Sequence, residues 1–149
     1  MDFSIAATMH SAANVVCDTV TPMTNFNGAA YMGVWYEQDH VKNQGFQLDS
    51  WTCTQAVYSN LQPTGTFTVR NTSQNQFFSP RFGVTGTGNC PDASGQCFVS
   101  FFGQKTPYPN YVVLETDYTS YSVVYSCDPT KAYLWFITRQ AVISDALFN

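Results

Sequence analysis

The chain has 149 residues, enough for one domain with a sizeable core, a net charge of -4 and an aromatic content of 16%. Only 11% of its residues are charged, against about 25% in an average soluble domain, and its six Lys and Arg are scattered, which excludes the basic patch a nucleic-acid partner needs. No run approaches the roughly 18 apolar residues of a membrane-spanning helix, and Ser, Thr, Asn and Gln make the chain polar, as suits a secreted or lumenal protein or one packed in a larger assembly.

Five cysteines occur: Cys17, Cys53, Cys90, Cys97 and Cys127. None forms C-x-x-C, which argues against zinc and dithiol redox chemistry. Their wide spacing suits disulfides and an oxidising compartment, and the odd count leaves one over. Met1 to Val16 is mildly apolar but lacks the basic n-region of a signal peptide. Residues 1–24 carry no periodicity and read as an N-terminal arm; residues 25–149 read as the folded domain.

Asn25-Phe26-Asn27-Gly28 is a turn-like setting that suits Phe26 to capping one end of a barrel. From Tyr31 onward strand follows strand. Tyr31 to Asp39 is rich in aromatic and β-branched residues. Lys42 to Ser50 is a polar loop holding Phe46 and Leu48. Cys53 to Leu61 is a second strand, closed by the turn signal Pro63-Thr64-Gly65. Thr66 to Arg70 alternates with period two, the mark of a half-buried strand. Phe77 to Thr87 is a fourth, interrupted by Pro80, which requires an edge or a bulge. After the loop Cys90 to Cys97 come Phe98 to Gly103, Tyr111 to Thr116, Tyr121 to Cys127 and Ala132 to Arg139. Ser144 to Phe148 reads as a helix start with Ser144 as N-cap. Eight short strands with short connections predict an all-β fold, a sandwich or a barrel.

Three stretches narrow that choice. Asn25-Phe26 followed by Tyr31-Met32-Gly33-Val34-Trp35-Tyr36-Glu37 resembles the G-x-W motif of the lipocalins with its usual neighbours. Tyr111 to Tyr118, followed by Tyr121 to Cys127, is similar to the family's T-D-Y motif and the strand after it. Arg139 ends the last strand, and Cys53 to Ser59 is similar to the second. The resemblance is closest to the apolipoprotein D-like branch and covers about Cys17 to Phe148. It implies an eight-stranded, up-and-down antiparallel β-barrel of the lipocalin or calycin kind, with an N-terminal arm and a C-terminal helix truncated after its first turn. It also places Gly33, Trp35 and Arg139 at the barrel floor, with the guanidinium over the indole. Those three are expected to support the fold rather than hold a ligand.

With Arg139 inside over Trp35, alternation puts Ile137, Trp135 and Tyr133 on the same face. Trp135 matches a position where the family sets a ligand-facing Trp. The same alternation groups Phe67, Val69 and Asn71 on the third strand, Phe98, Ser100 and Phe102 on the fifth, and Tyr111 and Val113 on the sixth; Tyr58 is chosen on the second. Each reads equally well as core filling. Together they suit a closed apolar pocket with a few hydroxyls to orient a ligand. Asn71-Thr72-Ser73 is also an N-glycosylation sequon, and the two readings of Asn71 conflict, because an inward side chain cannot carry a glycan.

Cys17 lies nine residues before Phe26, as the family's first cysteine does, and the resemblance implies Cys127 as its partner. The family partner of Cys53 lies beyond the C-terminal helix. Cys90 and Cys97 either close a local loop, leaving Cys53 free, or one of them pairs with Cys53.

The function expected from these residues is that of a carrier. A secreted or lumenal barrel holds a small hydrophobic molecule, such as a fatty acid, steroid, retinoid, carotenoid or bilin, with no required cofactor beyond that bound lipid or pigment. An enzyme is not expected: His10 and His40 are the only histidines, no metal-ligand cluster or nucleophile elbow appears, and Asp117 in Thr116-Asp117-Tyr118 reads as turn chemistry. The competing reading is a structural subunit of a larger assembly. It would dock on a second copy or another partner, with Phe46 and Trp51 near the barrel mouth as contacts or as lids.

Overall fold

The computed structural model describes residues 20–40, 51–75, 81–103, 105–127 and 132–141, with backbone placement alone at 39–40, 51–53, 74–75 and 81. His10, Cys17, Phe46, Leu48, Phe77, Pro80 and the helix start at Ser144 lie outside the described residues, as do the side chains of His40, Trp51 and Cys53.

A four-residue helix, α1 (Gly28–Tyr31), leads into β1 (Gly33–His40), β2 (Trp51–Ser59), β3 (Thr66–Asn75), β4 (Arg81–Asn89), β5 (Gln96–Phe101), β6 (Tyr111–Thr116), β7 (Tyr121–Cys127) and β8 (Ala132–Thr138). Each strand pairs antiparallel with the next, and β8 returns to β1, where Tyr36 faces Thr138 and Glu37 faces Ile137. The result is the expected eight-stranded up-and-down barrel. Closure removes the exposed edges that so many strand-forming residues would otherwise present.

β6 and β7 have the expected bounds. β3 runs on to Asn75, because Asn71 and Thr72 find backbone partners on both sides, Ala56 and Gln55 of β2 and Val84 and Gly83 of β4. β4 is described from Arg81 to Asn89, and the interruption expected at Pro80 falls outside the described residues. α1 was not foreseen: Asn27 caps it, its side chain accepting a hydrogen bond from Ala30 N at 3.1 Å. The helix ends by driving Tyr31, which is 3% exposed, into the barrel.

The walls are not equally knitted. β3 and β4 share nine consecutive ladder pairs, from Thr66 opposite Asn89 to Gln74 opposite Arg81. β5 and β6 share two, Gln96 opposite Val112 and Cys97 opposite Tyr111. There the Asn110 carboxamide stands in for a peptide group: it accepts from Val99 N at 2.7 Å and donates to Val99 O at 2.8 Å. The lead-in to α1 fastens across the same region, Met23 N donating to Val113 O and Phe26 N to Ala93 O. Buried apolar residues fall into two groups. One fills the barrel interior around Trp35, Tyr58 and Phe67. The other, Val20 with Val112, Tyr125 and Cys127, packs together on the opposite face of β6 and β7.

Candidate ligand-binding site

The floor is built as the motif implies. Trp35 is fully buried, and the Arg139 guanidinium carbon sits 3.8 Å from its ring centroid, a cation–π contact. Arg139 also donates to three carbonyls: Nε to Tyr118 at 2.9 Å, Nη1 to Val34 at 3.1 Å and Nη2 to Ala30 at 2.9 Å. Gly33 has φ +106°, and a Cβ there would stand 3.0 Å from Arg139 Nη1, so glycine serves both the backbone and the close approach. Beneath, Asp117 Oδ1 accepts from the amides of Thr119, Ser120 and Tyr121 at 3.1, 2.7 and 3.0 Å. These bonds outweigh its partial desolvation and hold the carboxyl below its ordinary range. Asp117 therefore does turn chemistry.

Next to the floor, four hydroxyls from four elements form a chain. Ser122 Oγ meets Tyr31 Oη at 2.9 Å, Tyr31 Oη meets Tyr111 Oη at 2.9 Å, and Tyr111 Oη meets Tyr58 Oη at 2.8 Å. The rings support one another: Tyr31 stacks on Tyr58 at 5.7 Å between centroids and meets Phe26 edge-on at 5.1 Å. Burial raises all three phenols, Tyr58 to about 12 and Tyr31 and Tyr111 well above the ordinary phenol value. At neutral pH this is an uncharged chain of donors and acceptors.

The register places most of the expected wall residues as alternation demanded. Phe67, Val69, Val113 and Ile137 lie in the interior core, with Tyr111 and Trp135 packed against it. Tyr133 follows the same face of β8, its ring 6.3 Å from that of Trp135. Asn71 stands opposite Ala56 and Val84 on the inward-facing side of β3, half-buried, with its Oδ1 buried.

Two expectations fail on β5. Phe98 faces outward, and Phe102 is 86% exposed in the turn beyond the strand, with φ 60°. The inward set is Cys97, Val99 and Phe101. The physical reason lies on β4, whose Gly88 and Gly86 stand opposite Val99 and Phe101. A Cβ on Gly88 would fall 2.2 Å from Phe67 Cζ, and one on Gly86 2.6 Å from Phe101 Cδ1. The missing side chains are the seats of those rings.

The cysteines resolve one open alternative. Cys90 and Cys97 are bonded to each other. Cys127 is also disulfide-bonded, to a partner whose side chain lies outside those described.

Between α1, the β2–β3 connection and the β4–β5 loop opens a cleft of about 280 Å³. Its inner end is Tyr58, Phe67, Tyr111 and Val99, and its rim is Gly28, Gln62, Pro63 and Asp92. Sequence reasoning found Tyr58, Phe67 and Tyr111 but missed Tyr31, Ser122 and the inward glycines. The available signal for Tyr31 was its place two residues before Gly33. Among the described residues no group of three or more His, Cys, Asp or Glu could hold a metal, and no helix is long and apolar enough to cross a membrane.

The lipocalin-like domain family matches residues 27–149. The outer membrane lipoprotein Blc of Citrobacter freundii is 30% identical over 155 residues, covering 96% of this chain and 82% of its own. Apolipoprotein D of Rattus norvegicus is 30% identical over 122 residues, 80% of this chain and 60% of that protein. The tryptamine complex of the amine-binding protein of Rhodnius prolixus superposes with a TM-score of 0.64 at 19% identity, over 88% of this chain and 74% of the other, a likeness of fold.

Proposed function

The chain belongs to the lipocalin family, in its apolipoprotein D-like branch, and on that premise we propose that it carries a small, largely apolar molecule inside its barrel. The observation that carries this reading is the cleft itself. Aromatic and aliphatic side chains converge on a cleft at whose inner end three phenol hydroxyls gather, the pattern of a small-molecule site. Its volume of about 280 Å³ lies just below the usual range for such sites, which favours the compact members of the expected ligand range over long carotenoids. The reading is one of binding rather than catalysis. Secretion, or residence in another oxidising lumen, is part of the proposal and is supported by the Cys90–Cys97 disulfide.

Native mass spectrometry of the protein from its natural source tests this directly. Extra mass that leaves on denaturation is the expected result and begins to identify the ligand. A bare monomer from fresh, unextracted material would sink the carrier reading.

A further inference from the structure

We propose that the cleft at the closed end of the barrel is itself a ligand site, entered between α1 and the β2–β3 connection, and that it selects a neutral molecule with one hydrogen-bond acceptor, received by Tyr58. The proposal rests on the carrier reading and adds the route in and the chemistry selected.

The route follows from position. Trp35 and Arg139 mark the closed end of the barrel, and α1 and the β2–β3 and β4–β5 connections lie at that same end. The cleft is rimmed by these three elements. Gln62, Pro63 and Asp92 at the rim are exposed, whereas Tyr58 at 5%, Phe67 at 5% and Cys97 at 1% are buried. The passage therefore leads from solvent to the barrel interior without crossing the opposite end, where Phe82 and Val84 stand on the inward face of β4 and are 41% and 39% exposed. Gly28 keeps the passage open: a Cβ there would meet only Leu61 Cδ2, at 3.7 Å, an ordinary contact, and anything larger would bridge the gap.

The selectivity follows from counting hydrogens. Ser122, Tyr31, Tyr111 and Tyr58 bring four hydroxyl hydrogens, and three bonds join them. One hydrogen is left over. Ser122 is fully buried and does not line the cleft, so leaving the spare donor there strands it. Tyr31 and Tyr111 each have two hydroxyl partners, and Tyr58, which lines the cleft, has one. With the chain running from Ser122 to Tyr58, the spare hydrogen emerges at Tyr58 and donates to the ligand. A ketone, ether or alcohol oxygen accepts one such bond comfortably. A carboxylate needs several donors or a counter-charge when buried. It finds one side-chain donor at the inner end, Tyr58, and no Lys, Arg or His among the lining residues; Gln62 and Asp92 stand out at the exposed rim, so a buried ammonium finds no counter-charge at the inner end either. The high phenol pKa values keep every member of the chain protonated at neutral pH.

Isothermal titration at neutral pH with 2-nonanone, octanoate, octylamine and nonane separates the parts. The ketone is expected to bind at least ten-fold tighter than octanoate or octylamine. Tyr58→Phe should weaken the ketone about ten-fold, or somewhat less, and leave nonane unchanged. Gly28→Phe, or independently Leu61→Trp at the same gap, should abolish ketone binding with the far-ultraviolet circular dichroism spectrum retained. Val84→Trp, toward the other end, should change it less than two-fold. Octanoate or octylamine binding tighter than the ketone would overturn the selectivity. Ketone binding blocked by Val84→Trp and spared by both cleft variants would overturn the route while leaving the carrier reading intact. Failure of all four probes on the wild-type protein would overturn the proposal, and together with a bare native protein would remove the carrier reading as well.

Discussion

Under β1 and β8 the barrel end is filled: the Arg139 guanidinium lies over the Trp35 indole, and three carbonyls around that cation give each of its nitrogens a partner. Under β2 to β5 the same end holds a similar density of aromatic rings and yet keeps a cleft of about 280 Å³. What separates the two sides is where the rings rest. Trp35 lies across the floor because Gly33 lets the cation close over it. Phe67 and Phe101 lie back against β4 because Gly88 and Gly86 offer no side chains to hold them off. Aromatic content alone thus does not say whether a barrel end is plugged or open. The small residues opposite the rings decide it.

The filled side breaks hardest. Trp35→Ala should destabilise the fold by about 3–5 kcal/mol in urea unfolding, because it empties the centre of the interior core and removes the ring on which the Arg139 cation rests. The hydroxyl chain on the open side breaks next, and by pH alone. Tyr58 titrates near 10.0 when unfolded and at about 12 when folded, owing to burial. The folded state therefore holds the proton that the unfolded state gives up. Its stabilising contribution is complete below pH 10 and is lost as pH rises from 10.0 to about 12, worth roughly 3 kcal/mol for this one phenol. Tyr31 and Tyr111 shift in the same direction. Urea midpoints should fall steeply across that window, and the Tyr58 phenolate absorbance should appear at higher pH in the folded protein than in the unfolded chain.

Two smaller changes test the walls. Gly88→Ala places a methyl where Phe67 now rests, which should destabilise by about 1–3 kcal/mol and push the ring into the cleft, weakening ligand binding; Phe67→Leu in the same background should restore part of both. Asn110→Ala removes the two bonds that extend the short β5–β6 ladder, about 1–2 kcal/mol together. Hydrogen exchange at the Val99 amide should accelerate well beyond that at β3 and β4 amides.

Much of this was legible in the sequence for reasons particular residues make plain. The bounds of β6 and β7 were readable because Asp117 signals the turn between them, and it caps three amides there. The floor was readable because the Gly33–Trp35 spacing and Arg139 match a family motif. α1 was not readable, since four residues are too few for a helical period, and only the Asn27 cap marks it. The hydroxyl chain was not readable either. It joins residues up to 91 positions apart, and only closure of the barrel brings them within a hydrogen bond.

The least predictable wall was β5, and it supplies the smallest and sharpest test. Phe98, Phe101 and Phe102 do not share one period-two face, so alternation anchored on Phe98 selects the wrong set. Ladder pairing with β4 settles the matter, Gly86 receiving Phe101 and leaving Phe102 outside. Phe102→Ser should accordingly change stability by no more than about 0.5 kcal/mol and leave ligand affinity untouched. Phe101→Ser, one residue earlier, should lower the urea midpoint clearly, because it takes a ring off its glycine seat and puts a hydroxyl against the inner wall. Equal effects at the two positions would mean that the strand is out of register by one residue. That slip would exchange every inward side chain of β5 for an outward one and remove Val99 and Cys97 from the wall of the cleft.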